Sequence, residues 1–78
     1  MTVNINTDRK AVVLEYDEIN GDTYTIRATG EAGDVHASGP HPNNGNAIVT
    51  YPADFVGNSH IEITGSDGSR TEGDIEIS

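Results

Sequence analysis

Ser59 and His60 are adjacent, which puts a hydroxyl nucleophile beside a general base on paper. Hydrolytic chemistry needs that nucleophile on a strained turn, with an oriented base and an oxyanion hole. Here the pair opens an alternating stretch, His60 to Thr64, that reads as a strand. Successive strand residues point to opposite faces, so the hydroxyl and the imidazole are expected apart. His36, His41 and His60 match no metal-ligand spacing and read as rim or surface histidines. Asp67-Gly68, with Glu72 and Asp74 nearby, offers one acid before its glycine. A calcium loop needs several converging oxygens, and turn chemistry accounts for the dipeptide without a metal. Gly30 and Gly33 are not followed by Lys-Ser/Thr and do not form a phosphate loop. The expectation is a non-enzymatic protein with no catalytic residues, no cofactor and no metal.

Glu62, Asp74 and Glu76 alternate with isoleucines and therefore share the outward face of a final hairpin. Like charges this close are mildly unfavourable, so a cationic partner or high salt would suit them. The acidity is general: 13 Asp and Glu against 4 Lys and Arg give a net charge of −9. Nucleic-acid binding requires a concentrated basic face, and an anionic membrane surface demands the same, so neither is expected. No apolar run approaches the roughly 18 residues of a membrane span. Met1-Thr2-Val3-Asn4 lacks the basic and apolar regions of a secretory leader. The location expected from this is the cytoplasm or a particle assembled there. With no cysteine, neither a disulfide nor a zinc-thiolate cluster can staple the chain.

These groups must be positioned by a small scaffold. A chain of 78 residues suggests one domain, residues 1–78, with a thin core. Val, Ile, Leu and Phe number only 16, about a fifth of the chain. The apolar period is two, which predicts an all-β fold. Strands are expected at Val3 and Ile5, then from Lys10 to Asp17 with Val12, Leu14 and Tyr16 on one face. A third spans Thr23 to Thr29 with Tyr24, Ile26 and Ala28 inward, and Val35 and Ala37 mark a fourth. Ile48 to Tyr51, Ile61 with Ile63, and Ile75 with Ile77 supply three more. Seven short strands between Gly, Asn and Asp clusters are the signature of an antiparallel sandwich or barrel. If strands two and three share a sheet, a three-residue Ile19-Asn20-Gly21 loop aligns Leu14 with Ile26; otherwise this segment crosses between sheets. Gly39 to Asn46, with two prolines and two glycines, reads as an exposed loop. Within it His41, Pro42, Asn43, Asn44 and Asn46 are the candidate partner-binding residues.

The stretch Ala47 to Ser78 contains Val49-Thr50-Tyr51-Pro52, the corner Asp54-Phe55-Val56-Gly57, an alternating strand, Thr64-Gly65-Ser66-Asp67-Gly68 and a glycine-bearing final strand. It resembles the closing half of immunoglobulin-like modules in virion proteins of tailed bacteriophages. The resemblance implies a small immunoglobulin-like β-sandwich of about seven short antiparallel strands, in which Tyr51 and Phe55 plug one end while Pro52 ends the fifth strand. It also implies a capsid decoration or accessory protein that binds the major capsid protein or another virion protein, as a small homo-oligomer on the particle. A carbohydrate- or cell-surface-binding adhesion module is the alternative, although the chain has no Trp and its three tyrosines are expected inward.

Overall fold

Alternating side chains form seven strands: β1 (Thr2–Asn6), β2 (Ala11–Glu15), β3 (Thr23–Gly30), β4 (Val35–Pro42), β5 (Asn46–Thr50), β6 (Gly57–Gly65) and β7 (Arg70–Ile77). The computed structural model describes residues 1–78. All pairings are antiparallel, in a three-stranded sheet ordered β1-β2-β5 and a four-stranded sheet ordered β4-β3-β6-β7. The chain is thus an all-β sandwich with the immunoglobulin-like division of strands one, two and five from three, six and seven. Its fourth strand sits beside the third rather than beside the fifth. Strands β2 and β3 lie in different sheets, so the segment containing Asn20-Gly21 is a crossover and Leu14 does not pair with Ile26.

The core follows the period-two pattern. Val12 and Leu14 of β2, with Tyr16 just beyond its end, meet Tyr24, Ile26, Ala28, Ile61, Ile63, Ile75 and Ile77 from the other sheet. Ala47, Val49, Tyr51 and Ile19 complete the 14 buried apolar residues, with Val3 and Phe55 packed against them. Each fully buried Leu or Ile contributes roughly 1.5–3 kcal/mol relative to exposure. Ile19 reads as a turn residue in the sequence, yet it is 5 % exposed. The crossover dips inward there and covers the end of the core.

Strand β4 departs from expectation twice. Gly39 to Pro42 is not irregular loop but the second half of an eight-residue edge strand. An edge strand tolerates proline because one row of its backbone groups needs no partner. Gly39 has φ +120°, and a Cβ there would come within 2.9 Å of the Tyr24 carbonyl. The register shifts beside it, between Tyr24 and Ile26. The second departure is the face. Val35 is 47 % exposed and Ala37 is exposed, while His36 between them is half-buried. His36 meets the rings of Tyr51 and Phe55, so the strand turns its imidazole inward and its two small apolar residues to solvent.

Polar contacts tie the loops down. The Thr71 hydroxyl donates to Glu18 Oε2 at 2.7 Å, linking the β2–β3 crossover to β7. That bond, with the Asp17 amide, holds the Glu18 carboxyl down at about 2. Its stabilising effect is present above the ordinary value of 4.5 and is lost as pH falls toward 2.

Candidate functional site

The outward face of the four-stranded sheet holds the densest set of ionisable groups. Cross-strand register sets His60 opposite Asp74, Glu62 opposite Glu72, and Thr64 opposite Arg70. Paired strand residues share a face, so these side chains form a ladder on the solvent side. His60 Nδ1 lies 2.8 Å from Asp74 Oδ1, while its Nε2 is 3.8 Å from Glu62 and 4.0 Å from Glu72. Arg70 lies 2.6 Å from Glu72 and 3.2 Å from Glu62. The Asp74 hydrogen bond, then the neighbouring carboxylates, raises the His60 pKa above its usual 6.5. The associated stability is therefore complete below pH 6.5 and lost as pH rises through the raised value.

The expected acidic face thus carries its own counter-charges. Alternation alone sets His60 on the face of Glu62 and Arg70 on that of Glu72; the pairing across the Gly65–Ser69 turn is what brings His60 to Asp74 and Arg70 to Glu62. Glu76, opposite Asn58, has no cation beside it. Ligand atoms of His60, Glu62 and Glu72 lie within 4.8 Å of one another. Arg70 already bridges both of those carboxylates, so a cation there would have to displace the guanidinium.

The five loop candidates separate. His41 and Pro42 belong to β4, and Asn46 opens β5. His41 rests on the Tyr24 ring at 5.4 Å and reaches the Ser38 hydroxyl at 3.1 Å. Asn44 is exposed, and its Oδ1 accepts from the Asn46 amide. Asn43 differs from all of these because its side chain is committed to the fold. Its Nδ2 donates to the carbonyls of Ile19 at 3.0 Å and Gly21 at 2.8 Å. Its Oδ1 accepts from the Tyr16 hydroxyl at 2.8 Å and from the Gly45 amide at 3.3 Å. A polar residue in an Asn-Gly-rich stretch looks like a loop tip, and only the tertiary partners reveal the clamp. His41, Pro42, Asn44 and Asn46 line a shallow groove with Tyr24 and Ile48.

At the opposite end, Tyr51 and Phe55 stack with centroids 4.6 Å apart, and His36 stands edge-on to both. The Phe55 amide donates to the Pro52 carbonyl, which closes the corner. The Tyr51 hydroxyl donates to Ser59 Oγ at 2.8 Å. Ser59 is 1 % exposed and points into the sandwich, whereas His60 lies on the outward ladder. The two side chains therefore sit on opposite faces, as the alternation requires. The three histidines share no site: His36 is in the ring cluster, His41 on Tyr24, and His60 among carboxylates.

The outward face of the three-stranded sheet is the counterpart. Its rows are Thr2, Glu15 and Asn46; Asn4, Val13 and Ile48; and Asn6, Ala11 and Thr50. Glu15 is its single charge. Comparison of the chain with family models, with curated proteins and with solved structures finds no match.

Proposed function

We propose that this chain is a non-enzymatic structural protein of a phage particle, a capsid decoration or accessory protein. In this reading it lays the outer face of its four-stranded sheet on a basic patch of the major capsid protein or another virion protein. The resemblance of Ala47 to Ser78 to virion modules supports the particle assignment. The observation that carries the choice of face is the acidic row Glu72, Asp74 and Glu76 along β7, with Asp74 81 % exposed at its side chain. His60 and Arg70 occupy part of that face, so Glu76, which has no cation beside it, and the exposed side of Asp74 beyond its His60 contact are the groups that meet an incoming cation. Each contact is weak, but many copies on a repeating shell add up through effective concentration. Binding that selects the folded state also stabilises a thin core. Against the adhesion alternative, Tyr16, Tyr24 and Tyr51 are all buried, which leaves no aromatic platform for a sugar ring.

Purified virions test the reading. The protein should co-sediment with particles at a fixed ratio to the major capsid protein. The Asp74→Lys/Glu76→Lys double variant should fold normally and lose most of that binding. Particles devoid of the protein would overturn the particle assignment. Undiminished binding of the double variant would overturn the choice of face.

A further inference from the structure

We infer that β1 pairs with β1 of a second copy, antiparallel about a two-fold axis through Asn4. The two three-stranded sheets then join into one of six strands. This inference stands apart from the particle reading, since it concerns the other sheet and a different partner.

The four sheet edges are not alike. A free edge presents unpaired N–H and C=O groups, and proteins blunt it with charge, proline or irregularity. Strand β4 carries Gly39, Pro40, Pro42 and a register shift. Strand β7 carries Arg70, Glu72, Asp74 and Glu76. Strand β5 is flanked by the end of β4, where His41 and Pro42 share a groove with Asn46 and Ile48. Strand β1, Thr2-Val3-Asn4-Ile5-Asn6, has no charge, proline or glycine and no flanking element on its free side. Such a run is notable in a chain of net charge −9.

The side chains of β1 are also self-complementary. Val3 and Ile5 pair with Leu14 and Val12, so both belong to the inward face. Leu14 and Val12 are fully buried, yet Ile5 is 42 % exposed because the sheet stops at β1. An axis through Asn4 sets Val3 of one copy beside Ile5 of the other, twice, and covers Ile5. Thr2 then faces Asn6, and Asn4 faces its own copy on the outer side. Centring the axis on Val3 or Ile5 instead keeps the faces matched but pairs fewer residues. A one-residue slip would set apolar against polar side chains. The Asn4 register is therefore the one that pairs the whole strand. Such an interface is isologous and closes at two copies.

Two five-residue strands bury far less than the roughly 800 Å² per partner of a standard interface. Two copies of net charge −9 also repel. The dimer is thus weak and strengthens with salt, the opposite of what docking onto a basic surface would show.

The chain has no cysteine, which makes a cross-linking test clean. Opposed Cα atoms in an antiparallel pair lie about 4.5–5.5 Å apart, within disulfide range. Under mild oxidation Asn4→Cys should form a covalent dimer at least about tenfold faster than Thr2→Cys, whose copies would lie about 13 Å apart. In sedimentation at concentrations up to the millimolar range, the unmodified chain should self-associate, more so in high salt. Asn4→Asp and Asn4→Lys should both weaken it, because either sets like charges opposite each other at the axis. Equal cross-linking of the two cysteine variants would overturn the proposal. So would opposite effects of Asp and Lys, which would mark a response to overall charge alone. A chain that stays monomeric throughout would overturn it as well, and would leave the edge to a different partner strand.

Discussion

At one end of the sandwich, Asn43 gathers Tyr16, Ile19, Gly21 and Gly45 through four hydrogen bonds. At the other, Tyr51, Phe55 and His36 fill the gap with stacked and edge-on rings, and one buried hydrogen bond joins Tyr51 to Ser59. The contrast is between direction and area. A hydrogen-bonded clamp contributes modestly while intact, but its removal strands several polar groups at once. A ring cluster contributes through the surface that it removes from water and fails by leaving a cavity. Each end suits its chain segments. The Asn43 end must satisfy bare backbone carbonyls in a crossover, whereas the ring end must cover the mouth between two sheets.

Breaking the ring end should have the largest effect. Tyr51→Ala should cost about 3–5 kcal/mol. That is comparable to the roughly 3–5 kcal/mol that a core this small supplies, so the variant should be largely unfolded by near-ultraviolet circular dichroism at room temperature. Tyr51→Phe keeps the ring and should cost only about 1–2 kcal/mol, for the partner lost by buried Ser59. Urea denaturation separates these two contributions. The polar end should yield next. Asn43→Ala should lower stability by about 2 kcal/mol, while Asn44→Ala, one residue away and exposed, should leave the midpoint within about 0.5 kcal/mol. If Asn43→Ala proves as harmless as Asn44→Ala, the clamp is not a stabilising element and the comparison collapses.

Alkaline titration should give the smallest effect and the sharpest comparison. Burial raises the pKa of both Tyr51 and Tyr16 above the usual 10.0. A phenol whose folded value exceeds its unfolded value stabilises the fold while neutral. That contribution is complete below pH 10 and is lost as pH climbs through the folded value. The urea midpoint should therefore hold steady up to that range and then fall. Tyr51→Phe should make the fall shallower by removing the ring end's share, and Tyr16→Phe by removing that of the polar end. A decline of equal slope in both variants and the parent would show that neither phenol is linked to folding.

Much of the scaffold was legible because two-residue alternation survives wherever a strand has one wet and one dry face. Val12, Leu14 and Tyr16 illustrate it, as do Tyr24, Ile26 and Ala28, and the four isoleucines of β6 and β7. The alternation misleads at an edge. In β4 both faces carry small residues, and His36 is drawn inward by Tyr51 and Phe55, which lie far along the chain. Pro40 and Pro42 read as loop because proline breaks interior strands, a restriction that an edge strand escapes. Ile19 hid among turn residues, and Asn43 looked like a solvent-facing tip. The acidic side of the last hairpin was legible as Glu62, Asp74 and Glu76. The ion pairs that balance it, His60 with Asp74 and Arg70 with Glu62, emerge only once the two strands are set in register.

The division of strands between sheets also bears on the order in which the chain can assemble. The β1–β2, β3–β4 and β6–β7 pairs join neighbours in sequence, so each closes a short loop and can form early. The β2–β5 and β3–β6 ladders instead span intervening strands, and each must wait for its distant partner. Non-local ladders of this kind slow folding to the millisecond-to-second range typical of sandwiches. During that interval a nascent β2 bears one open side that only β5 will fill. The uncharged segments of the small sheet are then the ones most exposed to capture by another chain, and the pervasive negative charge of the rest keeps such encounters infrequent.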